Sequence, residues 1–156
     1  MNPSQPSPDL VTALKSEVLG TASFRTAYRV SINRDKKSKA RALWQLEAQT
    51  LERIEQIYGQ KGFERPRHHG LQVGGVLAGL LFPILPWRSI MATTLKETGH
   101  YLEVFKRLAE TALPEERALF DYVVAHEEAI ARFAELELAG DSKESLQPVL
   151  ALLERT

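Results

Sequence analysis

Hydrophobic residues recur every three or four positions over most of the chain, in long stretches separated by short polar or proline-containing segments. This spacing places hydrophobic side chains on one face of an α-helix. It predicts four long helices and a short final one, at about residues 9–31, 38–59, 91–112, 114–138 and 141–154. No stretch alternates with period two for long enough to form a strand. We therefore predict an all-α fold, a four-helix bundle with a short C-terminal extra helix.

The 156 residues are enough for a single domain with its own core. Residues 1–8 lack a basic segment followed by an apolar one and so do not resemble a signal peptide. We expect them to form a short disordered lead. Residues 9–156 are expected to form one helical domain. The final helix is predicted to begin near Asp141 and Glu144, whose spacing resembles a capping box.

Three carboxylates interrupt the hydrophobic faces of three different helices: Glu47, Glu97 and Glu127. Burial of an unpaired carboxylate costs several kcal/mol, so a metal ion or a buried Lys or Arg must compensate. Glu17, beside the hydrophobic face of the first helix, either points inwards or lies at its boundary. We expect the three inward acids to converge in the interior of the bundle.

Two histidines lie close to these acids in the sequence. His100 follows Glu97 by three residues and so shares its helix face, which makes it the favoured nitrogen ligand. His126 is adjacent to Glu127, but a helix rotates it about 100° away. His68 and His69 are interpreted as surface residues of a turn. Oxygen and nitrogen ligands suit iron or manganese, and the predicted metal ligands are Glu17, Glu47, Glu97, His100, His126 and Glu127.

Residues 70–87 contain no charged side chain, yet Pro83 and Pro86 interrupt them. The helix before the break covers roughly 20 Å, less than the roughly 30 Å of bilayer hydrocarbon. The segment is therefore a buried helix, an interfacial helix or a partner surface, and packing in the core is favoured. Small residues four apart, such as Gly75 and Gly79, allow close helix approach.

Charge and cysteine content exclude several classes of protein. Lys and Arg total 20, as do Asp and Glu, so no net field favours nucleic acid. Residues 29–41 carry six cations and only one acid, which indicates a solvated connection or a patch for lipid headgroups or phosphate. The chain has no cysteine, which excludes disulfides, thiolate metal sites and cysteine nucleophiles. We expect a cytoplasmic protein, either free or peripheral to a membrane.

Four long helices with inward carboxylates resemble the ferritin-like superfamily of carboxylate-bridged di-iron proteins. Within it, the sequences GLQVGG, LAGLL and IMATTLKE, which precede and include Glu97, are locally similar to demethoxyubiquinone hydroxylase. The general resemblance covers about residues 9–138 and the closer one about 30 residues. It implies a ferritin-like bundle with a di-iron site, and an oxidoreductase or hydroxylase acting on an apolar, quinone-like or lipid-like substrate.

The chain departs from this pattern at two expected histidines. Thr50 follows Glu47 by three residues, and Ile130 follows Glu127 by three. We therefore expect weaker metal binding than at a complete site, with one ion instead of two. Two alternatives stay open: a metal-free bundle that binds an apolar small molecule or a membrane surface, and an interaction protein whose apolar segment forms a homodimer or contacts another protein.

Overall fold

The computed structural model describes residues 5–64, 66 and 68–155. These residues form an all-α structure of six helices and no strand. The helices are α1 (Pro8–Val30), α2 (Arg34–Gln60), α3 (His69–Leu80), α4 (Trp87–Thr111), α5 (Arg117–Ala139) and α6 (Gln147–Leu153). The predicted all-α class is confirmed.

Local sequence signals set the helix ends. Ser7 caps α1, because its Oγ accepts a hydrogen bond from the Leu10 N–H at 3.2 Å. The predicted disordered lead, residues 1–8, thus falls partly outside the described residues and partly in the cap and first turn of α1. Asn33 Oδ1 accepts from the Lys36 N–H at 3.0 Å and begins α2 four residues before the predicted start. Gly140, with φ of 91°, ends α5.

Two other helix starts differ from the prediction. The helix predicted from Met91 begins at Trp87, directly after Pro86. The final helix, predicted from Asp141, begins at Gln147, because residues 142–146 form turns and Pro148 occupies its first turn. The capping-box interpretation of Asp141 and Glu144 is wrong: the Glu144 N–H donates to the Asp141 carbonyl, within a turn.

Neighbouring long helices run antiparallel and bury a common interior. At one end of α1, Tyr28 stacks on Trp44 of α2 with ring centroids 5.8 Å apart. At the other end, Leu10 and Leu14 pack with Ile57 of α2 in the same buried cluster as Phe105 and Val123. A second cluster joins α1, α2, α4 and α5 to Val149 and Leu152 of α6. Between these two apolar layers lie the acids described below.

Helix α3 packs on α1 through its glycines. A Cβ placed on Gly75 would lie 2.6 Å from the Cβ of Ala22 and from the Leu19 carbonyl oxygen. A Cβ on Gly79 would lie 2.6 Å from the Cβ of Thr26. The predicted break near Pro83 is present, since α3 ends at Leu80 and a turn leads to α4. Core packing was favoured for this segment, but in α3 only Gly75 and Gly79 are buried, and most of its large side chains are exposed.

None of the helices in the described part of the chain is long and apolar enough to cross a membrane. The prediction that residues 70–87 do not span a bilayer agrees with this finding.

A buried polar network joins α2, α4 and α5 to the segment before α6. Lys39 Nζ lies 2.7 Å from Glu137 Oε1, and both side chains are 2% exposed. Glu137 also accepts hydrogen bonds from Trp87 Nε1 at 2.5 Å and from the hydroxyls of Ser142 and Ser145. These bonds lower the pKa of Glu137 despite its burial. The network holds the end of the molecule where α2 and α4 begin and α5 ends.

Candidate metal centre

Glu17, Glu47 and His126 meet between the two apolar layers. They come from the middle of α1, α2 and α5, and one ligand atom from each lies within 4.8 Å of the others. His126 Nε2 is 3.8 Å from Glu17 Oε2 and 4.0 Å from Glu47 Oε1. All three are buried. Two carboxylates and an imidazole at these separations could hold one cation.

The group lacks the partners that buried polar atoms normally have. Both oxygens of Glu17 and both nitrogens of His126 are buried without a hydrogen bond to any described residue. No Lys or Arg among these residues forms an ion pair with Glu17, Glu47 or Glu127. An orphaned buried polar atom costs about 1–3 kcal/mol, more when charged. A bound cation would satisfy the Glu17 carboxylate and Nε2 of His126, so the residues present fit a metal ion.

Burial determines the protonation of the group in the absence of a cation. Burial, and then the nearby carboxylates of Glu47 and Glu127, raise the pKa of Glu17 well above its usual value. Burial raises the pKa of Glu47 to about 8 and lowers the pKa of His126 to about 3. The metal-free site therefore holds protons on its carboxylates and a neutral imidazole, and a cation must displace those protons.

Glu127 and Glu97 extend the group along a cavity of about 420 Å³ between α1, α3, α4 and α5. Glu127 is 5% exposed, and burial followed by the charge of Glu47 raises its pKa well above the usual value. Glu97 lines the same cavity but is exposed. Four acids from α1, α2, α4 and α5 therefore face one cavity, Glu97 at its solvent side. The expected convergence is present for Glu47 and Glu127, and Glu17 points inwards.

The histidines differ from the prediction. His100 is exposed and is not among the described residues that line the cavity. The buried face of α4 runs instead through Thr98, Phe105 and Leu108, which turns position 100 outwards. His126 takes the inner position, since α5 buries both His126 and Glu127: the first faces α1 and α2, and the second faces the cavity. Both side chains can be buried although they point about 100° apart, because other parts of the protein cover α5 on two sides.

Thr50 and Ile130 occupy the positions where the resemblance implies histidines. The Thr50 hydroxyl donates to the Leu46 carbonyl oxygen at 3.1 Å, within its own helix. Ile130 contributes a hydrocarbon wall to the cavity. Within the described residues, neither position offers a nitrogen to the acids, and His126 is the one imidazole that lies among them.

Gly20 is a site residue that the sequence pattern did not bring forward. A Cβ at this position would lie 2.5 Å from Cδ of Glu47 and closer still to its Oε2. Only glycine leaves room for that carboxylate beside α1. The available signal was a lone glycine inside a strong helical pattern, which often has a packing reason.

Tyr101 is a second residue whose role could not be inferred from the sequence. It is partly buried, and it lines the cavity. Burial raises its pKa, and the acids at positions 97 and 127 add to the effect. It therefore brings a protonated phenol to a cavity wall that is otherwise mainly hydrocarbon.

Searches for similar proteins found no match among protein-family models, curated proteins or solved structures.

Proposed function

We propose that this chain is a ferritin-like four-helix bundle, formed by α1, α2, α4 and α5, that binds iron or manganese and oxidises an apolar substrate in the adjoining cavity. Glu17, Glu47, Glu127 and His126 would hold the ion, with Glu97 as a further acid at the solvent side. One observation carries the proposal: three buried carboxylates and a buried imidazole lie together without a countercharge among the described residues.

The alternative explanation for inward acids, a buried Lys or Arg partner, has no support at this site. Buried cation–carboxylate pairing does occur elsewhere in the molecule, where Lys39 contacts Glu137 at 2.7 Å. No comparable cation reaches Glu17, Glu47 or Glu127 within the described residues. The protein pairs one buried acid with a lysine and leaves three others unpaired, and a bound cation beside those three best explains the difference.

Each residue at the site has a separate task. Glu17, Glu47 and Glu127 supply negative oxygen ligands, and His126 supplies a neutral nitrogen at neutral pH because its pKa is low. Gly20 keeps the Glu47 carboxylate within reach of the others. Phe24, Phe82 and Ile130 line the cavity with hydrocarbon.

A bound iron ion would supply dioxygen activation for oxidation of the substrate. The substrate class follows from the cavity, whose volume of about 420 Å³ suits one small organic molecule. Most of its wall area is hydrocarbon, and the Tyr101 phenol and the Thr94 and Thr98 side chains add polar groups to those of the four acids. This lining favours an apolar molecule with one polar end, such as a quinone or a lipid.

The test is a titration of the metal-free protein with Mn²⁺, and with Fe²⁺ under anaerobic conditions, read by calorimetry and by metal content after gel filtration. Wild type should bind stoichiometrically. Glu17→Gln, Glu47→Gln and His126→Gln should each weaken binding at least about tenfold, since even indirect support of a ligand is worth that much. Glu103→Gln is the matched control, because that side chain is 69% exposed on α4.

Oxidation is tested separately, on the iron-loaded protein. Oxygen consumption in the presence of a reductant should rise when a short-chain quinol is added, and Glu47→Gln should abolish the rise. Stoichiometric binding without substrate-dependent oxygen use would retain the metal site and reject the oxidase role.

A metal-free binding protein is the second candidate, favoured by Thr50 and Ile130 at the two expected histidine positions. In that case wild type binds neither ion, and Glu17→Gln is as stable as wild type or more so. A neutral fluorescent apolar probe should still bind in the cavity. Ser89→Phe, which places a large side chain at the cavity wall, should weaken its binding.

A further inference from the structure

Exposed large hydrophobic side chains are concentrated on one surface of the molecule. In the described part of the chain, seven of the ten large hydrophobic residues that are exposed belong to α3 and the turn after it. We call these seven residues the α3 strip: Val73, Val76, Leu77, Leu80, Leu81, Ile84 and Leu85. Spacings of one, three and four residues place the four members in α3 on one side of that helix, and the other three continue the exposed surface into the turn. Isolated exposed hydrophobics need no explanation, but a continuous strip does.

The part of the strip in α3 faces away from the protein because the opposite side of α3 is the glycine side. Gly75 and Gly79 lie against the backbone of α1, and α1 is the one described helix on which α3 packs. Leu77 is 59% exposed and Ile84 is 73% exposed. The fold thus uses the small residues of the segment for packing and leaves its large ones uncovered.

The basic segment comes close to one end of the strip. Gly75 lies near Ala22 and Gly79 near Thr26, so α3 runs parallel to α1 and its end meets the end of α1. The basic segment 29–41 begins there. Lys36 Nζ lies 5.4 Å from the Trp87 ring centroid, and Trp87 packs edge-on against Phe82 in the turn of the strip.

Other cations of this segment are free to meet a partner. Arg29 and Arg34 are exposed, and neither forms an ion pair with a described residue. The acid of the segment, Asp35, is already paired with Lys39 at 2.7 Å. The uncompensated charge of residues 29–41 is therefore positive.

We propose that the α3 strip and the adjoining cations form a docking surface for an anionic lipid bilayer. An apolar helix side lying in the interface, with basic and aromatic residues at its edge, is the arrangement that binds such surfaces. The cavity supports a bilayer over a second copy of the chain. Leu81 and Leu85 belong both to the strip and to the cavity wall, so a bilayer places its hydrocarbon at the cavity edge, whereas a second protein would cover it. Docking does not require a metal ion at the site.

The experiment is sedimentation of the metal-free, full-length protein with vesicles of phosphatidylcholine alone or mixed with phosphatidylglycerol. Wild type should bind the mixed vesicles more tightly, and added salt should weaken the binding. Leu77→Ser/Ile84→Ser and Arg29→Gln/Arg34→Gln should each weaken it by about tenfold. All four residues are exposed, so these variants should retain wild-type thermal stability.

Two variants at other surfaces are the matched controls. Leu113 is 50% exposed in the connection between α4 and α5, and Arg132 has a side chain 58% exposed on α5. Leu113→Ser and Arg132→Gln should bind vesicles as wild type does. Equal binding of neutral and anionic vesicles, no binding, or unchanged binding by the strip variants would overturn the proposal. A dimer that Leu77→Ser/Ile84→Ser dissociates, without vesicle binding, would overturn it in favour of a second copy.

Discussion

Gly20 gives the metal proposal a test that leaves every ligand in place. In Gly20→Ala the new methyl group would occupy the space of the Glu47 carboxyl group, whose Cδ would be 2.5 Å away. Because a glutamate side chain is flexible, the carboxylate should turn away and the helix should survive. We expect metal affinity to fall at least about tenfold, with a change in metal-free stability of less than about 1 kcal/mol. Isothermal titration and thermal melting measure the two effects.

Gly99→Ala is the control for this substitution. A methyl group at Gly99, in α4, would have no neighbour within 4 Å, so the change should raise stability by up to about 1 kcal/mol. Metal affinity should stay at the wild-type value. If the two alanine variants bind metal equally well, Glu47 is not a ligand in the arrangement described.

Glu47 should also give the metal-free protein an unusual dependence of stability on pH. Its pKa is 4.5 in ordinary surroundings and about 8 in the folded protein. Between these values the folded state holds a proton that the unfolded chain has lost, so the free energy of unfolding falls as pH rises. Glu47→Gln should flatten that slope by up to about 1.4 kcal/mol per pH unit. Denaturant unfolding at a series of pH values, after chelation, measures it.

His126 contributes in the opposite direction at lower pH. Its pKa falls from 6.5 to about 3 on folding, so stability is lost as pH drops through that range. Because the pKa values of Glu17, Glu47 and Glu127 are all raised, three carboxylates outweigh one imidazole between pH 4.5 and 6.5, and the contribution of these four groups to the stability of the metal-free protein should be largest near pH 4.5. A wild-type slope that Glu47→Gln leaves unchanged above pH 6.5 would contradict the raised pKa.

Single residues also mark the limit of what the sequence could predict at the site. Glu47 and Glu127 could be assigned to the interior because each replaces a hydrophobic residue at helical spacing. His126 could not be chosen over His100, since the choice depends on which sides of α4 and α5 are covered. Gly20 carries no sign in the sequence of the carboxylate opposite, because that contact joins residues far apart in the chain.

At the scale of the helices, the packing of α3 on α1 depends on glycine at position 75. Gly75→Ala would place a methyl group 2.6 Å from the Leu19 carbonyl oxygen, and a backbone atom cannot rotate away. We expect a loss of about 1–3 kcal/mol in the free energy of unfolding, the usual cost of overpacking. Thermal melting of the chelated protein is the measurement.

The adjacent glycine provides the comparison. In Gly74→Ala the nearest atom would be Leu19 Cδ1 at 3.7 Å, an ordinary contact. This variant should be as stable as wild type or slightly more stable, since alanine favours the helix. Equal losses in both variants would mean that α3 does not pack on α1 through one glycine side.

The helices themselves were largely predictable, and their ends less so. Hydrophobic period alone located the long helices, and prolines located the break between α3 and α4. The predicted start of α2 is late because residues 34–37 are polar, although Asn33 provides the cap that extends the helix. The spacing of Gly75 and Gly79 indicated the side of α3 that packs closely, but the exposure of its large side chains was not predictable, since large apolar residues normally lie inside.

At the scale of the whole molecule, the Lys39–Glu137 pair is expected to hold together the end where α2 and α4 begin and α5 ends. Lys39→Met removes the cation and leaves the Glu137 carboxylate, 2% exposed, without its ion-pair partner. We expect a loss of about 3–5 kcal/mol in the free energy of unfolding, as for other broken buried pairs. Denaturant unfolding measures the loss.

A second substitution distinguishes the effect of the unpaired charge from the effect of changed packing. In Lys39→Met/Glu137→Gln the buried charge is absent, and the amide oxygen of the new side chain could still accept hydrogen bonds from Trp87 and the two serines. This double variant should recover at least half of the loss. If Lys39→Met alone is as stable as wild type, the network does not hold this end together.

Among the described helices, α3 packs on α1 alone, and this affects the order in which parts of the protein unfold locally. Segments with few buried contacts unfold locally at a lower free energy than the global transition. Opening α3 separates it from one described helix, whereas opening α1 disrupts contacts with α2, α3 and α4. Backbone amides of α3 should therefore exchange hydrogen earlier than those of α1. A helix that detaches without unfolding the rest can act as a movable wall, so the cavity beneath it can fill and empty while the acids stay in place.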